Sequence, residues 1–351
     1  MSFSIAGRAI GAGQPPYIIA ELSGNHNGDL QRALALIDVA ADAGADAVKL
    51  QTYTADTITL KHDSPLFRIQ GGPWDGRILH ELYQEAGTPW AWHEALFAHA
   101  AARGITCFST PFDPTAVDFL VSLGAPAFKV ASFELIDLPL IEKIAQQGKP
   151  MIMSTGMGSD AEVRDAVAAA RGAGNTELVV LHCNSGYPSP VSDIRLSTIA
   201  HLRALTGCAI GLSDHTLGTT AAIAAVALGA VVIEKHITLK RADGGPDASF
   251  SLEPAELAEL VRSCREAHEA IGAPRAGLSQ SEAGNIVFRR SLFAVEDIAA
   301  GAPLTPQNVR SIRPGYGLAP KLLPRVLGRR AAAFIPRGTP LSWALVEGGE
   351  G

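Results

Sequence analysis

Two histidines stand at the same phase of consecutive apolar segments: His215 in GLSDHT and His236 in VIEKHIT. Imidazoles carried to adjacent strand tips can share one divalent ion, with water and substrate oxygens completing its shell. No thiolate or carboxylate-rich cage is evident, and mixed nitrogen and oxygen ligation with open positions suits manganese, iron, cobalt or zinc. Lys49 and Lys129 close strongly apolar runs, AVKLQ and AFKVA. A buried ammonium without a partner is costly, so each calls for an anion. Thr110, Ser132, Ser154 and Ser213 fall at equivalent positions and can donate to phosphate or carboxylate oxygens, although hydroxyls there could equally cap the helices that follow. Glu21, Glu134, Asp214, Glu234 and Asp247 are candidates for proton transfer or for accepting substrate hydroxyls, some of them orienting lysines or histidines from behind. Glu134, which follows Lys129 and Ser132 in KVASFE, is the first choice for the proton. Glu21 is the first choice for a hydroxyl. GAGQPP is followed by prolines where a phosphate-binding loop needs a helix, and His93-Glu94 lacks the second histidine of a zinc-protease motif.

The elements that must position these residues alternate. Apolar runs of strand length occupy 17–22, 47–51, 106–109, 127–131, 151–154, 178–182, 209–212 and 231–236. Amphipathic segments of helical length fill 30–43, 90–103, 114–123, 138–147, 160–172, 193–205, 219–228 and 254–271. A doubly wound sheet would also alternate, but eight of each fits a closed (β/α)₈ TIM barrel, whose strand tips converge on one mouth. Polar residues gather at those tips: Glu21, Lys49 with Gln51, Ser109 with Thr110, Lys129 with Ser132 and Glu134, Ser154, His182 with Asn184, Ser213 with Asp214 and His215, and Glu234 with His236. One insertion, 54–88, interrupts the rhythm on the rim where loops cover an active site. The barrel is expected over 1–272, a Gly-, Ala- and Pro-containing linker over 273–285, and a small, mostly β domain over 286–351.

The bulk composition fits this α/β reading. The 351 residues are 47% hydrophobic and 18% charged, with a net charge of −6. That balance points to neither nucleic acid nor an anionic membrane surface, while one local cationic cluster could still bind an anionic substrate. Cys107, Cys183, Cys208 and Cys264 are scattered without a CxxC pair, the first residues carry no secretory signal, and the longest apolar run, 220–233, is too short to span a membrane. A cytoplasmic protein with free thiols is expected.

IIAELSGNHNGD, ADAVKLQTYTADT, FSTPFD, FKVASFE, KPMIMSTGM, GLSDHTLG and VIEKHITL, in this order, resemble the sialic acid synthase family. RSLFAVEDIAAGAPLTPQNVRSIRPGYGLAP resembles that family's C-terminal antifreeze-like (SAF) domain. AELSGNHNG, KLQTYTADTITL and WDGRILHELYQEAGTPWAWH look like the pseudaminic acid synthase branch. The resemblance implies condensation of phosphoenolpyruvate with an N-acetylated amino sugar, 2,4-diacetamido-2,4,6-trideoxy-L-altrose in this branch. N-acetylneuraminate and legionaminate synthases are the alternatives, with the same mechanism. It implies phosphoenolpyruvate binding at Lys49, Thr110, Lys129, Ser132, Ser154 and Ser213. Gln51, Glu134, Asn184, Tyr187, Asp247 and Phe288 would line the substrate pocket. Glu21, Glu134, His215 and His236 would be catalytic, with manganese, magnesium or cobalt on the two histidines. Arg313 would reach the partner's barrel in a domain-swapped homodimer. Two departures stand out: Gly24 where the branch more often has alanine, and NSGYPSP beside the sugar.

Overall fold

The computed structural model describes residues 2–349. It divides into two compact units, Met1–Gly272 and Ala273–Gly351. In the first, an antiparallel hairpin of β1 (Ser2–Ile5) and β2 (Arg8–Gly11) precedes eight parallel strands. These are β3 (Tyr17–Glu21), β4 (Ala47–Thr52), β5 (Thr106–Pro111), β6 (Phe128–Val130), β7 (Met151–Ser154), β8 (Leu178–Cys183), β9 (Ala209–Asp214) and β10 (Val232–His236). β10 pairs with both β9 and β3, which closes the barrel. The hairpin was not read from the sequence: its strands are four residues each, too short to show a period. Ile5 and Ile10 join Tyr17, Ala47 and Val232 in one cluster, so the hairpin plugs the N-terminal end of the barrel.

Strand parity sorts the polar tips. Tyr17, Ile19, Phe108, Ile152, Val179 and Leu181 fill the barrel interior. Ile18, Val48, Leu50, Val180 and Leu212 pack outward against the helices. Ser109, His182 and Asp214 therefore face the helix layer and are corrected as mouth candidates. Ser109 Oγ lies 2.6 Å from Thr52 Oγ1, which meets His93 Nε2 at 2.8 Å. His182 Nε2 bonds the Ile194 carbonyl. Asp214 Oδ2 accepts from Lys235 Nζ at 2.7 Å, and both side chains are fully buried. Lys235 also donates to the Thr216 carbonyl, and the Thr216 N–H donates to Asp214 Oδ1 at 2.9 Å.

Helix ends follow local chemistry. Ser159 and Glu162 form a reciprocal capping box on Asp160–Gly172, and Asp113 caps Pro114–Ser122. The helix expected from 193 starts only at Thr198, because Val191–Asp193 is a 3₁₀ turn and Arg195 adopts φ 43°. The insertion carries helices Ala55–Ile58 and Leu79–Ala86. All four cysteines are free and buried, and among the described residues no helix is long and apolar enough to cross a membrane.

In the second unit, β11 (Ser291–Ala294) pairs antiparallel with β12 (Val309–Ile312). Isolated bridges such as Ile298–Ile335 and Ala331–Val346 extend this frame around Leu292, Leu304, Val309 and Leu341. A 3₁₀ segment, Gln280–Phe288, leads into it.

Removing one member of a buried ion pair strands the other charge, at about 3–5 kcal/mol. Lys235→Met should therefore lower stability by about that much in urea denaturation, and Lys235→Met/Asp214→Leu should recover most of the loss. A single variant within about 1 kcal/mol of wild type would mean that the pair does not lock the strand ends.

Candidate active site

Four charges meet at the C-terminal mouth of the barrel. Lys49 Nζ lies 2.8 Å from Glu21 Oε2 and 3.7 Å from Glu234 Oε1. Lys129 Nζ lies 3.2 Å from the same Glu234 oxygen, which also accepts from Ser213 Oγ at 3.2 Å. All four charged side chains are buried. The partner anion that each lysine demanded is thus supplied within the chain. Burial pushes Glu234 up, but Lys129 and Lys49 outweigh it and bring it to about 2. Burial and the neighbouring Glu234 raise Glu21 against the pull of Lys49. Lys49 resists the lowering effect of burial through Glu21 and Glu234, whereas burial lowers Lys129 despite Glu234. Glu21 Oε1 accepts from Gln51 Nε2 at 2.9 Å, and Thr110 Oγ1 accepts from Lys49 at 3.1 Å.

Beside this network the rings of His215 and His236 are 5.3 Å apart. His215 Nδ1 donates to the Asn184 carbonyl at 2.8 Å, which leaves the lone pair on Nε2. His236 Nδ1 is buried without a hydrogen-bond partner, and Asp247 Oδ2 lies 3.8 Å from it. Burial, together with the positive charges of the nearby lysines, holds His236 well below the usual histidine value, so it is a neutral imidazole. Two such nitrogens fit a divalent ion. Among the described residues no group of three or more His, Cys, Asp or Glu converges as a metal cage, so an ion held by these two nitrogens would take its remaining ligands from water or substrate oxygens. Asp247 also accepts from Ser23 Oγ; burial, then Glu21, raises its carboxyl to about 7.

The hydroxyls lie on the next strands around the mouth. Ser154 Oγ is buried with no partner, a donor in waiting. Ser132 and Ser185 hydroxyls meet at 2.9 Å under Gly156, where a Cβ would come within 2.5 Å of Ser132 Cβ. Glu134 ends the 3₁₀ turn Ser132–Glu134; its Oε2 is unpartnered, and burial raises its carboxyl to about 7. Asn184 is less available than its expected substrate role requires, because Oδ1 already accepts from Gly186 N and Ser189 Oγ, both at 2.8 Å. A cleft of about 350 Å³ opens beside it, lined in part by Met157, Ser185 and Arg195.

Tyr187 stacks obliquely on His215 at 4.5 Å and on Phe250 at 5.3 Å, and Phe250 packs on His236 at 5.1 Å. From the insertion, Trp74 reaches Tyr187 at 5.6 Å and Tyr83 packs on Tyr53 at 5.8 Å. Of these aromatics the sequence pointed only to Tyr187; Phe250, Trp74, Tyr53 and Tyr83 were missed, and so was Cys183, whose Sγ lies 4.0 Å from His215 Nδ1. Its parity with Leu181 was the available signal for an inward side chain. In the second unit, Phe288 and Arg313 are both exposed.

Residues 36–276 match the NeuB family, and residues 289–347 match the SAF domain. The chain is 42% identical to pseudaminic acid synthase of Helicobacter pylori, over 94% of this chain and 97% of that protein. It is 43% identical to pseudaminic acid synthase of Campylobacter jejuni, over 93% and 95%. The crystal structure of N-acetylneuraminic acid synthetase from Leptospira borgpetersenii is similar with a TM-score of 0.73 at 32% identity, covering 82% of this chain and 95% of that one. The barrel, the barrel-mouth motifs and the C-terminal domain thus agree, and the chain belongs to the NeuB family of sialic-acid-type synthases, with an appended SAF domain.

Proposed function

We propose that this protein condenses phosphoenolpyruvate with 2,4-diacetamido-2,4,6-trideoxy-L-altrose and water, releasing pseudaminic acid and phosphate. Similarity to pseudaminic acid synthases along nearly the whole chain carries this reading. The alternatives, N-acetylneuraminate and legionaminate synthesis, would use the same chemistry.

In this reading Lys49 and Lys129, with Thr110, Ser132, Ser154 and Ser213, bind phosphoenolpyruvate. Glu21 and Glu234 give both ammonium groups a counter-charge in the buried site until the anion arrives. Gln51, Asn184, Tyr187 and Asp247 line the acceptor side, and Glu21 fixes Gln51. A divalent ion on His215 and His236, with manganese expected and magnesium or cobalt as alternatives, would supply Lewis-acid polarisation of the aldehyde. C3 of phosphoenolpyruvate attacks the aldehyde carbon, its π pair forming the C–C bond and leaving an oxocarbenium ion at C2. Glu134 gives a proton to the former aldehyde oxygen and regains one from the water that adds to C2. Collapse at C2 then forms the carbonyl, the hydroxyl proton passing to the departing phosphate as the C–O bond breaks. With its carboxyl at about 7, Glu134 can do both near neutral pH.

The active unit is a domain-swapped homodimer, in which Arg313 of one subunit contacts the N-acetyl group held in the other and Phe288 completes the pocket. Apolar side chains exposed on loops after β6 to β9, namely Phe133, Ile136, Met157, Val191 and Leu217, support a covering partner. Free, buried thiols suit work in the cytoplasm.

Phosphate release should require manganese, be abolished by EDTA, and occur with the diacetamido-altrose but not with N-acetylmannosamine or the legionaminic precursor. Release with another sugar would move the protein to a sister activity; none with any would overturn the synthase reading. Arg313→Ala should raise the KM of the sugar about tenfold and leave that of phosphoenolpyruvate within about twofold. Equal losses would exclude the swapped arginine.

Glu134→Gln should lower kcat by about 10²–10⁴-fold. Its carboxyl is raised from the ordinary 4.5 to about 7, so the folded state holds the proton more tightly across that window. Stability of the metal-free protein should then fall by about 1–3 kcal/mol as pH rises through the window, with Asp247 acting in the same direction. Urea titrations at several pH values should show a shallower fall for Glu134→Gln; an unchanged slope would mean that Glu134 titrates normally.

A further inference from the structure

We propose that Trp74 is a specificity-determining residue for the acceptor sugar, its indole forming the wall against the sugar's apolar edge. This rests on the synthase reading above and deepens it. Trp74 belongs to the insertion between β4 and its helix, and a structured turn presents it. Gly71 N donates to Asp75 Oδ1 at 2.5 Å, Gly76 N to the Ile69 carbonyl at 2.8 Å, and Arg77 N to the Trp74 carbonyl at 3.1 Å. Gly71, Gly72 and Gly76 all take positive φ there, so the loop has a defined shape.

The side chain is held on two sides of the histidine pair. Its indole N–H donates to the Pro246 carbonyl at 2.8 Å, immediately before Asp247. Its ring meets Tyr187 at 5.6 Å, and Tyr187 in turn lies against His215. With the N–H satisfied by protein, the ring can offer an aromatic face rather than a polar contact. That surface suits an acceptor with acetamido methyl groups and a deoxygenated C6, whose edge is rich in C–H. A sugar with a hydroxylated C6 gains less from it, because a hydroxyl against the ring loses its water without a replacement. Phosphoenolpyruvate, bound among lysines and hydroxyls in the proposed mechanism, has no use for this wall.

The test uses full-length, manganese-loaded wild type, Trp74→Ala and Trp74→Phe, with each substrate varied in turn. Wild type is first run on the three-sugar panel, so that a failure of the substrate reading shows there. Trp74→Ala should raise the KM of the wild-type acceptor by about tenfold or more, with phosphoenolpyruvate KM within about twofold. Trp74→Phe, which keeps an aromatic face and loses the N–H, should fall between. Adding the sugar without phosphoenolpyruvate should change the tryptophan fluorescence of wild type. Trp74→Phe, which retains Trp90, Trp92 and Trp343, should lose most of that change. An unchanged sugar KM, an equal rise for both substrates, or a fall in kcat alone would each overturn the assignment.

Discussion

Two ammonium groups sit at the end of a barrel packed with isoleucine, valine and phenylalanine only because Glu234 lies between them. Moving an unpaired ammonium into such a place costs several kcal/mol, and two within reach of each other would add repulsion. Glu234 answers both lysines with a single oxygen, while Glu21 takes the other side of Lys49. These partners come from β3, β4, β6 and β10, so the network exists only once the barrel has closed between β10 and β3. Fold and charge arrangement are therefore one constraint: an open sheet would leave Lys49 without Glu234.

The next residue along the same strand serves the opposite face. Lys235 points away from the mouth and binds Asp214 and the Thr216 carbonyl, which brackets His215 from behind. His236 points inward again. Three consecutive residues on β10 thus neutralise the lysines, lock the turn carrying one imidazole, and supply the other. Two imidazoles at matching depth follow from β9 and β10 being parallel neighbours in this register.

The barrel was legible because strand and helix lengths alternate along the whole chain. Which polar residues face the mouth was only partly legible, and the reason is physical. Strands of a parallel barrel are buried on both faces, so their sequences run apolar without the alternation that reveals parity. Ser109 and Thr110, or Ser213 and Asp214, look equivalent in the sequence, yet a one-residue step sends one to the helices and the other to the mouth. The partners of Lys49 and Lys129 were hidden for another reason: Glu234 is distant in sequence, and only closure makes it a neighbour. The aromatic contribution of the insertion was hidden because its short helices and turns carry no sustained period.

Gly24 links the insertion back to the barrel. A Cβ there would meet Ala86 Cβ at 3.1 Å and Pro246 Cγ at 3.2 Å, tighter than ordinary contact. Ala86 ends the insertion's second helix, and Pro246 carries the carbonyl that holds the Trp74 indole. Gly24 therefore lets three segments close on one another beside Asp247. An alanine would push the insertion or Pro246 by a few tenths of an ångström, and the aromatic wall with it. The residue at position 24 and the placing of the Trp74 indole are therefore one packing problem, set where the insertion meets the loop that carries Asp247.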